Sequence, residues 1–160
     1  MTSEQQEPPP NTREFLECDT NADTCCLEKN FIVSQYTART ADVYTYNLSY
    51  EPIENVPIVT GMTVYDDRKS GQTYILVFNE SLHYGSKLDH SLNNPNQVRH
   101  YGINFNDNPY DKAKGLGIDI SDELRIEIHS CGTKVIFETR VPTKDELFDC
   151  QHVMMTSIIL

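Results

Sequence analysis

Apolar residues in this chain come in short runs that are separated by polar, turn-forming residues. The runs are rich in Val, Ile, Tyr and Thr, as in FIVSQY, VPIVTGMTVY and TYILVF. These residue types suit a pleated, half-buried strand surface. In ELRIEIHS, Leu124, Ile126 and Ile128 alternate with charged neighbours, which is typical of a strand with one buried face. The pattern predicts an all-β fold.

Local signals also predict where the chain turns and where it becomes helical. The stretch DDRKSGQ lies between two strand-like runs, and its Gly71 can adopt the positive φ that a hairpin loop requires. In TKDELFDC, Thr143 is a helix N-cap with Glu146 three residues later, which predicts a short helix. Residues 93–117 are rich in Asn, Asp, Gly and Pro, so we expect mostly loop there.

The two ends of the chain differ from its middle. Residues 1–12 contain Ser, Glu, Gln and consecutive prolines, a composition typical of a disordered tail. A chain of 160 residues has room for one domain with a modest core, which we place over 13–120. Residues 121–160 are expected to form a strand hairpin and short helix outside that domain. Their apolar end, HVMMTSIIL, indicates a piece cut from something longer, such as a truncated linker, or a segment that pairs with a partner.

Composition excludes several classes of function. The net charge of −11, with scattered basic residues, argues against direct nucleic-acid binding. No run is long enough to span a membrane, and the start of the chain lacks the apolar segment of a secretory signal. Five cysteines without metal-ligand spacing indicate free thiols, a reducing cytoplasmic location and no bound metal. No cofactor motif is present.

The stretch CDTNADTCC carries the candidate chemistry. Aspartic proteolysis needs one carboxylate as a base toward water and a second, protonated one that polarises the scissile carbonyl. A hydroxyl directly after the aspartate can brace the pair, and a small residue beyond it permits close packing. Asp19, Thr20 and Ala22 supply these types at that spacing. Because the chain has one such loop, the second carboxylate would come from another copy in a twofold homodimer.

A purely structural interpretation of the same residues exists. Asp-Thr and Asn-Ala-Asp-Thr are ordinary Asx-turn and N-cap sequences. Thr24 could then simply begin a short helix that runs through Cys26 and Glu28.

Over most of its length the sequence resembles the protease region of copia-type retrotransposon polyproteins, especially those of diatoms and other microbial eukaryotes. That family belongs to the retropepsin-like aspartic proteases. The matching segments are, in order, a catalytic Asp-Thr loop, a glycine-containing strand, an apolar strand and a segment ahead of a short helix: CDTNADT, GMTV, YILVFNESLHY and HSLNNPNQVRHYG. The resemblance implies a closed β-barrel with a flap hairpin, a short helix near 93–100 and no cofactor.

The resemblance also implies roles for individual residues. Asp19 corresponds to the catalytic aspartate, Thr20 to the bracing hydroxyl and Ala22 to the small packing residue. Asp23 falls where the family places an acidic residue that positions the substrate backbone or anchors an arginine. The segment 43–57 lies where the flap would close over a polypeptide substrate, the element's own polyprotein, and three tyrosines there are candidates to cover the site: Tyr44, Tyr46 and Tyr50.

The sequence departs from the family at Asn21, which replaces a glycine within the loop. A Cβ at that position would crowd the substrate backbone, although Asn tolerates positive φ better than most residues. One alternative is therefore an inactive, degenerate fragment that acts as a dimerisation or interaction module. Another is an unrelated β-domain that binds a small polar ligand.

Overall fold

The computed structural model describes residues 14–20, 22, 24–44, 51–85 and 90–158. The strands are β1 Glu14–Cys18, β2 Cys26–Leu27, β3 Ile32–Val43, β4 Ile53–Asp66, β5 Thr73–His83, β6 Ser91–Asn93, β7 Asn104–Asn106, β8 Gly117–Asp119, β9 Arg125–Ile126, β10 His129–Cys131, β11 Lys134–Thr139 and β12 Gln151–Met154. The helices are α1 Pro95–His100 and α2 Lys144–Asp149. The prediction of an all-β fold is confirmed, and the described part of the chain contains no helix long and apolar enough to cross a membrane.

Most strands belong to one nine-stranded sheet. Eight of them follow the order β10-β11-β1-β6-β2-β5-β4-β3, and β12 pairs with β5 off this path. A separate three-stranded sheet has the order β7-β8-β9. The strands β10 and β3 are at opposite ends of the path, and no pairing among the described residues joins them into a ring. The expected closed β-barrel is therefore not seen, although one isolated antiparallel bridge, Val64↔Arg140, joins β4 to the residue after β11.

The core forms where the buried faces of the large sheet meet α1 and the small sheet. Its largest fully buried side chains include Phe78, Phe137, Leu16, Leu27 and Ile118. Strand β5 is buried along almost its whole length, as expected for a central strand that has neighbours on both edges. Strand β5 thus supports the three strands that pair with it, β2, β4 and β12.

Several local predictions are confirmed. Strands β4 and β5 form an antiparallel hairpin, and Gly71 in the intervening turn has φ of 76°. Helix α2 begins after Thr143 with both bonds of the capping box to Glu146 present. A short helix, α1, occupies most of the expected 93–100 region.

The region that follows residue 120 adds strands to the same sheet. Strand β11 pairs antiparallel with β1, and β12 pairs parallel with β5. Leu124, Ile126 and Ile128 are buried as predicted, but the single expected strand is divided into β9 and β10, which belong to different sheets. The assignment of residues 121–160 to a separate extension remains a prediction.

Arg140 connects β4, the end of β11 and α2. Its guanidinium donates from Nε to Asp66 Oδ2 at 2.9 Å and from Nη2 to Glu146 Oε2 at 2.6 Å. The three side chains are 14%, 25% and 20% exposed, so the ion pairs are partly shielded from water. Hydrogen bonds from Arg140 lower the pKa of Glu146 below its ordinary value.

We expect Glu146→Gln to lower the free energy of unfolding by about 1 kcal/mol at neutral pH, and by less as the pH falls. A carboxyl whose folded-state pKa is depressed stabilises the fold above its ordinary pKa, and this contribution is lost as the pH falls through the folded-state value. Gln preserves the capping box, so the substitution isolates the charge. Urea unfolding of both proteins at about pH 7 and about pH 3.5 measures the effect. An equal difference at both pH values would contradict it.

Candidate functional site

Asp19 lies directly after the last residue of β1, at the end that β1 shares with its parallel neighbour β6. The two strands are in register at Cys18 and Asn93, and the backbone N–H of Asp19 donates to Asn93 O at 3.0 Å. The backbone N–H of Ala22 then donates to Asp19 O at 3.3 Å, which closes a tight turn. The Asp19 side chain is half-buried. We call residues 19–25 the Asp19 loop, of which 21 and 23 lie outside the described residues.

The middle of the Asp19 loop is attached to the start of α1. Asn94 is the N-cap of this helix, and its side-chain oxygen accepts hydrogen bonds from the backbone N–H groups of Asn96 and Gln97. The amide nitrogen of the same side chain donates to Ala22 O at 2.5 Å. One side chain therefore fixes the beginning of the helix and holds the loop against it.

The far end of the Asp19 loop is held by Gln97. Its Oε1 lies 2.8 Å from the Thr24 hydroxyl and 2.8 Å from the backbone nitrogen of Cys25, both of which can donate to it. Its Nε2 donates to Asn79 O and to Glu80 O, each at 3.0 Å. The Gln97 amide thus has a polar partner within reach at each of its four hydrogen-bonding positions.

A bulge in β5 presents these two carbonyl groups. The pairing of β4 with β5 steps from Val59↔Ser81 to Gly61↔Phe78, so Asn79 and Glu80 together lie opposite one residue of β4. Glu80 has φ of 52°, which costs a residue with a side chain roughly 1–2 kcal/mol. This strained residue lies where β5 meets the candidate site.

The hairpin formed by β3 and β4 packs next to the Asp19 loop. Val56, on the outer part of this hairpin, shares a small apolar cluster with Cys26 at the end of the loop and with Leu92 in β6. Arg39 in β3 forms an ion pair with Glu80, with 2.5 Å between Arg39 Nη2 and Glu80 Oε2. The residue before Arg39, Ala38, also has a positive φ, of 70°. The hairpin is therefore attached to the same bulge that holds Gln97.

The cysteine that precedes the loop, Cys18, is partly buried, and the one that ends it, Cys25, is fully buried. Cys25 has no exposed surface, and burial raises its pKa to about 12. Burial likewise raises the pKa of Cys18 well above the ordinary value of a thiol. Neither side chain forms the thiolate that nucleophilic catalysis requires at neutral pH.

The structure describes four of the eight residues singled out from the sequence. Asp19 and Ala22 are half-buried in the loop, and Thr20 is exposed beside Asp19. Tyr44 follows β3 with 73% of its side chain exposed, and its role in covering the site stays a prediction. Asn21, Asp23, Tyr46 and Tyr50 lie outside the described residues. The alternative of a helix beginning at Thr24 is wrong, because β2 occupies that segment and pairs with β5 and β6.

The described surface has depressions of about 620, 370 and 140 Å³, and each is lined by residues between 65 and 138. None of these lining residues belongs to the Asp19 loop. Within the described ranges there is also no group of three or more His, Cys, Asp or Glu side chains that could hold a metal ion. Among the described residues of the Asp19 loop, Asp19 is the one carboxylate, and it lines none of these three depressions.

Sequence analysis missed the residues that hold the loop, Asn94 and Gln97. The Asn-Pro pair at 94 and 95 is a helix-start signal that could have identified the cap. Gln97 had no such signal, because its partners Thr24 and Cys25 lie 73 and 72 positions away.

Comparison of the chain with models of known protein families, with curated proteins and with solved structures found no match.

Proposed function

We propose that the chain is a retropepsin-like aspartic endopeptidase of a copia-type retroelement polyprotein, and that it acts as a homodimer. The observation that carries this proposal is the position of Asp19. It is the first residue after a strand, it is half-buried, and its loop is bonded at three points to the segment 93–97. Such a loop keeps a carboxylate in place without enclosing it, so that a second carboxylate can approach.

The order of elements along the chain supports the proposal. The resemblance implies a catalytic loop, a flap, a glycine-containing strand, an apolar strand and a segment ahead of a short helix. The described elements follow that order as the Asp19 loop, the β3–β4 hairpin, β4 with Gly61, β5, and β6 with α1. The hairpin also packs on Cys26 and Leu92, beside the loop that a flap would cover.

In the proposed mechanism, Asp19 and the same residue of a second copy share one proton. The ionised carboxylate takes a proton from a water molecule, and that water attacks the peptide carbonyl of a bound polypeptide. The protonated carboxyl donates to the carbonyl oxygen and stabilises the charge that develops there. The C–N bond then breaks, and the carboxyl that took the proton from water gives it to the leaving nitrogen. Two adjacent carboxylates cannot both ionise easily, so the pair titrates with split apparent pKa values and activity is favoured at acid pH.

The purified chain is expected to cleave an unstructured polypeptide between about pH 4 and 7, with a faster rate on the acid side. Because two copies form each site, the rate per chain should fall when the protein is diluted below its dimer dissociation constant. The measurement combines cleavage rates over a dilution series with molar mass in solution. Asp122→Asn, which changes an exposed carboxylate in a distant turn, is the matched control and should behave like the unmodified chain.

Two results would contradict the proposal in different ways. A folded dimer without cleavage at any pH would indicate the inactive interaction module. Cleavage with a constant rate per chain at every dilution would indicate a monomeric or contaminating protease.

A further inference from the structure

We propose that Gln97 is a positioning residue for the Asp19 loop, an inference that rests on the proposed function of Asp19. Its side-chain amide joins the far end of the loop, at Thr24 and Cys25, to the β5 bulge at Asn79 and Glu80. Through this connection the central strand of the sheet determines where the candidate catalytic carboxylate lies.

The bulge is what allows one side chain to make this connection. In a regular strand the carbonyl groups of consecutive residues point to opposite edges, so one amide nitrogen cannot reach both. The positive φ of Glu80 changes the direction of the chain there, and both carbonyl oxygens lie 3.0 Å from Gln97 Nε2. The strained backbone at Glu80 thus presents two carbonyl oxygens to one amide group, which points to a role of Gln97 in positioning the loop.

The attachment on the loop side is equally specific. The backbone N–H of Cys25 donates to Gln97 Oε1 at 2.8 Å, and Cys25 O accepts from the backbone N–H of Leu82 at 2.9 Å. The Thr24 hydroxyl lies 2.7 Å from Glu80 O and 2.8 Å from Gln97 Oε1, and its one proton can be donated to either. Removing the Gln97 amide leaves the N–H of Cys25 in a buried place without that acceptor, which favours local opening of the loop.

Gln97→Leu is expected to reduce kcat by about 10- to 100-fold while KM changes less than about threefold. A displaced carboxylate impairs the chemical step, whereas substrate binding along the rest of the cleft is retained. The same variant should accelerate native-state alkylation of the Cys25 thiol at least about tenfold, because that thiol becomes accessible only when the loop opens. Mass spectrometry of the labelled peptides measures Cys25, and the exposed Cys131 gives the reference rate.

The matched control is Asn96→Leu, which changes the neighbouring exposed amide on the same helix. Asn96 bonds to Arg99 at 2.8 Å through its side chain and takes no part in the Gln97 connections, so neither kcat nor Cys25 labelling should change. If Gln97→Leu does not fold, Thr24→Val replaces it as the test. That variant removes only the loop hydroxyl, and labelling and kcat should change in the same directions by about threefold.

Unchanged Cys25 labelling in a folded Gln97→Leu protein would overturn the inference. So would an effect that appears only in KM, because it would place Gln97 in substrate binding. A third outcome is an unmodified chain that cleaves no polypeptide, together with faster Cys25 labelling in Gln97→Leu. This outcome would contradict the proposed function of Asp19, but it would support the role of Gln97 in holding the loop. The two failures are therefore distinguishable.

Discussion

Asp19→Asn is expected to reduce kcat/KM for polypeptide cleavage by at least about a thousandfold, with molar mass in solution and the free energy of unfolding nearly unchanged. Asn has almost the shape of Asp but can neither take a proton from water nor share one with a second carboxylate. The backbone bonds that hold the loop, from Asp19 N to Asn93 O and from Ala22 N to Asp19 O, do not involve the substituted group. Cleavage rates at the acid optimum, with saturating and limiting substrate, measure the effect.

Mixing the two proteins tests whether each site needs both carboxylates. After complete subunit exchange of equal amounts, about one quarter of the dimers contain two unmodified chains, so the activity per total chain should fall to about one quarter of that of the unmodified protein at the same total concentration. Asp122→Asn, mixed with the unmodified chain in the same way, should leave the activity per total chain unchanged. Retention of about three quarters of the activity would show that a single carboxylate suffices and would exclude the shared-proton mechanism, whereas about one half is the value for chains that have not exchanged.

Removal of residues 151–160 is expected to unfold the domain. Val153 and Met155 are 7% and 0% exposed, and burial of such a side chain contributes about 1.5–3 kcal/mol. Thr156 adds buried hydrogen bonds to Asn79, with the Asn79 backbone N–H donating to its hydroxyl at 2.7 Å. The sum, about 5 kcal/mol, equals the whole stability of a marginal domain. Circular dichroism and the thermal transition of the shortened chain measure the loss.

Two neighbouring methionines provide the matched point substitutions. Met155→Ala removes a fully buried side chain and should cost about 2–5 kcal/mol, whereas Met154→Ala changes one that is 38% exposed and should cost well under half of that. If the shortened chain keeps a cooperative transition, residues 151–160 are dispensable. The expectation of a linker outside the domain would then be favoured.

Sequence reasoning was strongest where the signal is local. The 66–72 turn, the Thr143 capping box and the buried alternation of Leu124, Ile126 and Ile128 depend on residues within a few positions of each other. The break between β9 and β10 was not predictable, because consecutive residues of one pattern join two different sheets. The closed barrel came from resemblance alone, and it requires edge pairings that a periodic pattern does not specify.

For the candidate site, the sequence supplied the proposed chemistry but did not predict the residues that hold the loop. Asp19, Thr20 and Ala22 were found because their spacing has a chemical meaning. Gln97 and the bulge at Glu80 were not found, since nothing nearby in the sequence favours a positive φ for a Glu or two carbonyl acceptors for a distant amide. Such a feature arises only from the register between strands.

The C-terminal contact with β5 has a consequence for synthesis on the ribosome. Asn79 O accepts both from the Thr156 hydroxyl at 2.8 Å and from Gln97 Nε2 at 3.0 Å, so the carbonyl that helps hold the loop also binds one of the last described residues. Asn79 and Thr156 are separated by 77 positions along the chain. Contacts of such long sequence separation form late and slowly. A nascent chain can therefore form the contact with Thr156 only after residue 156 has left the exit tunnel, so the Asn79 carbonyl acquires its C-terminal partner later than its partner in α1.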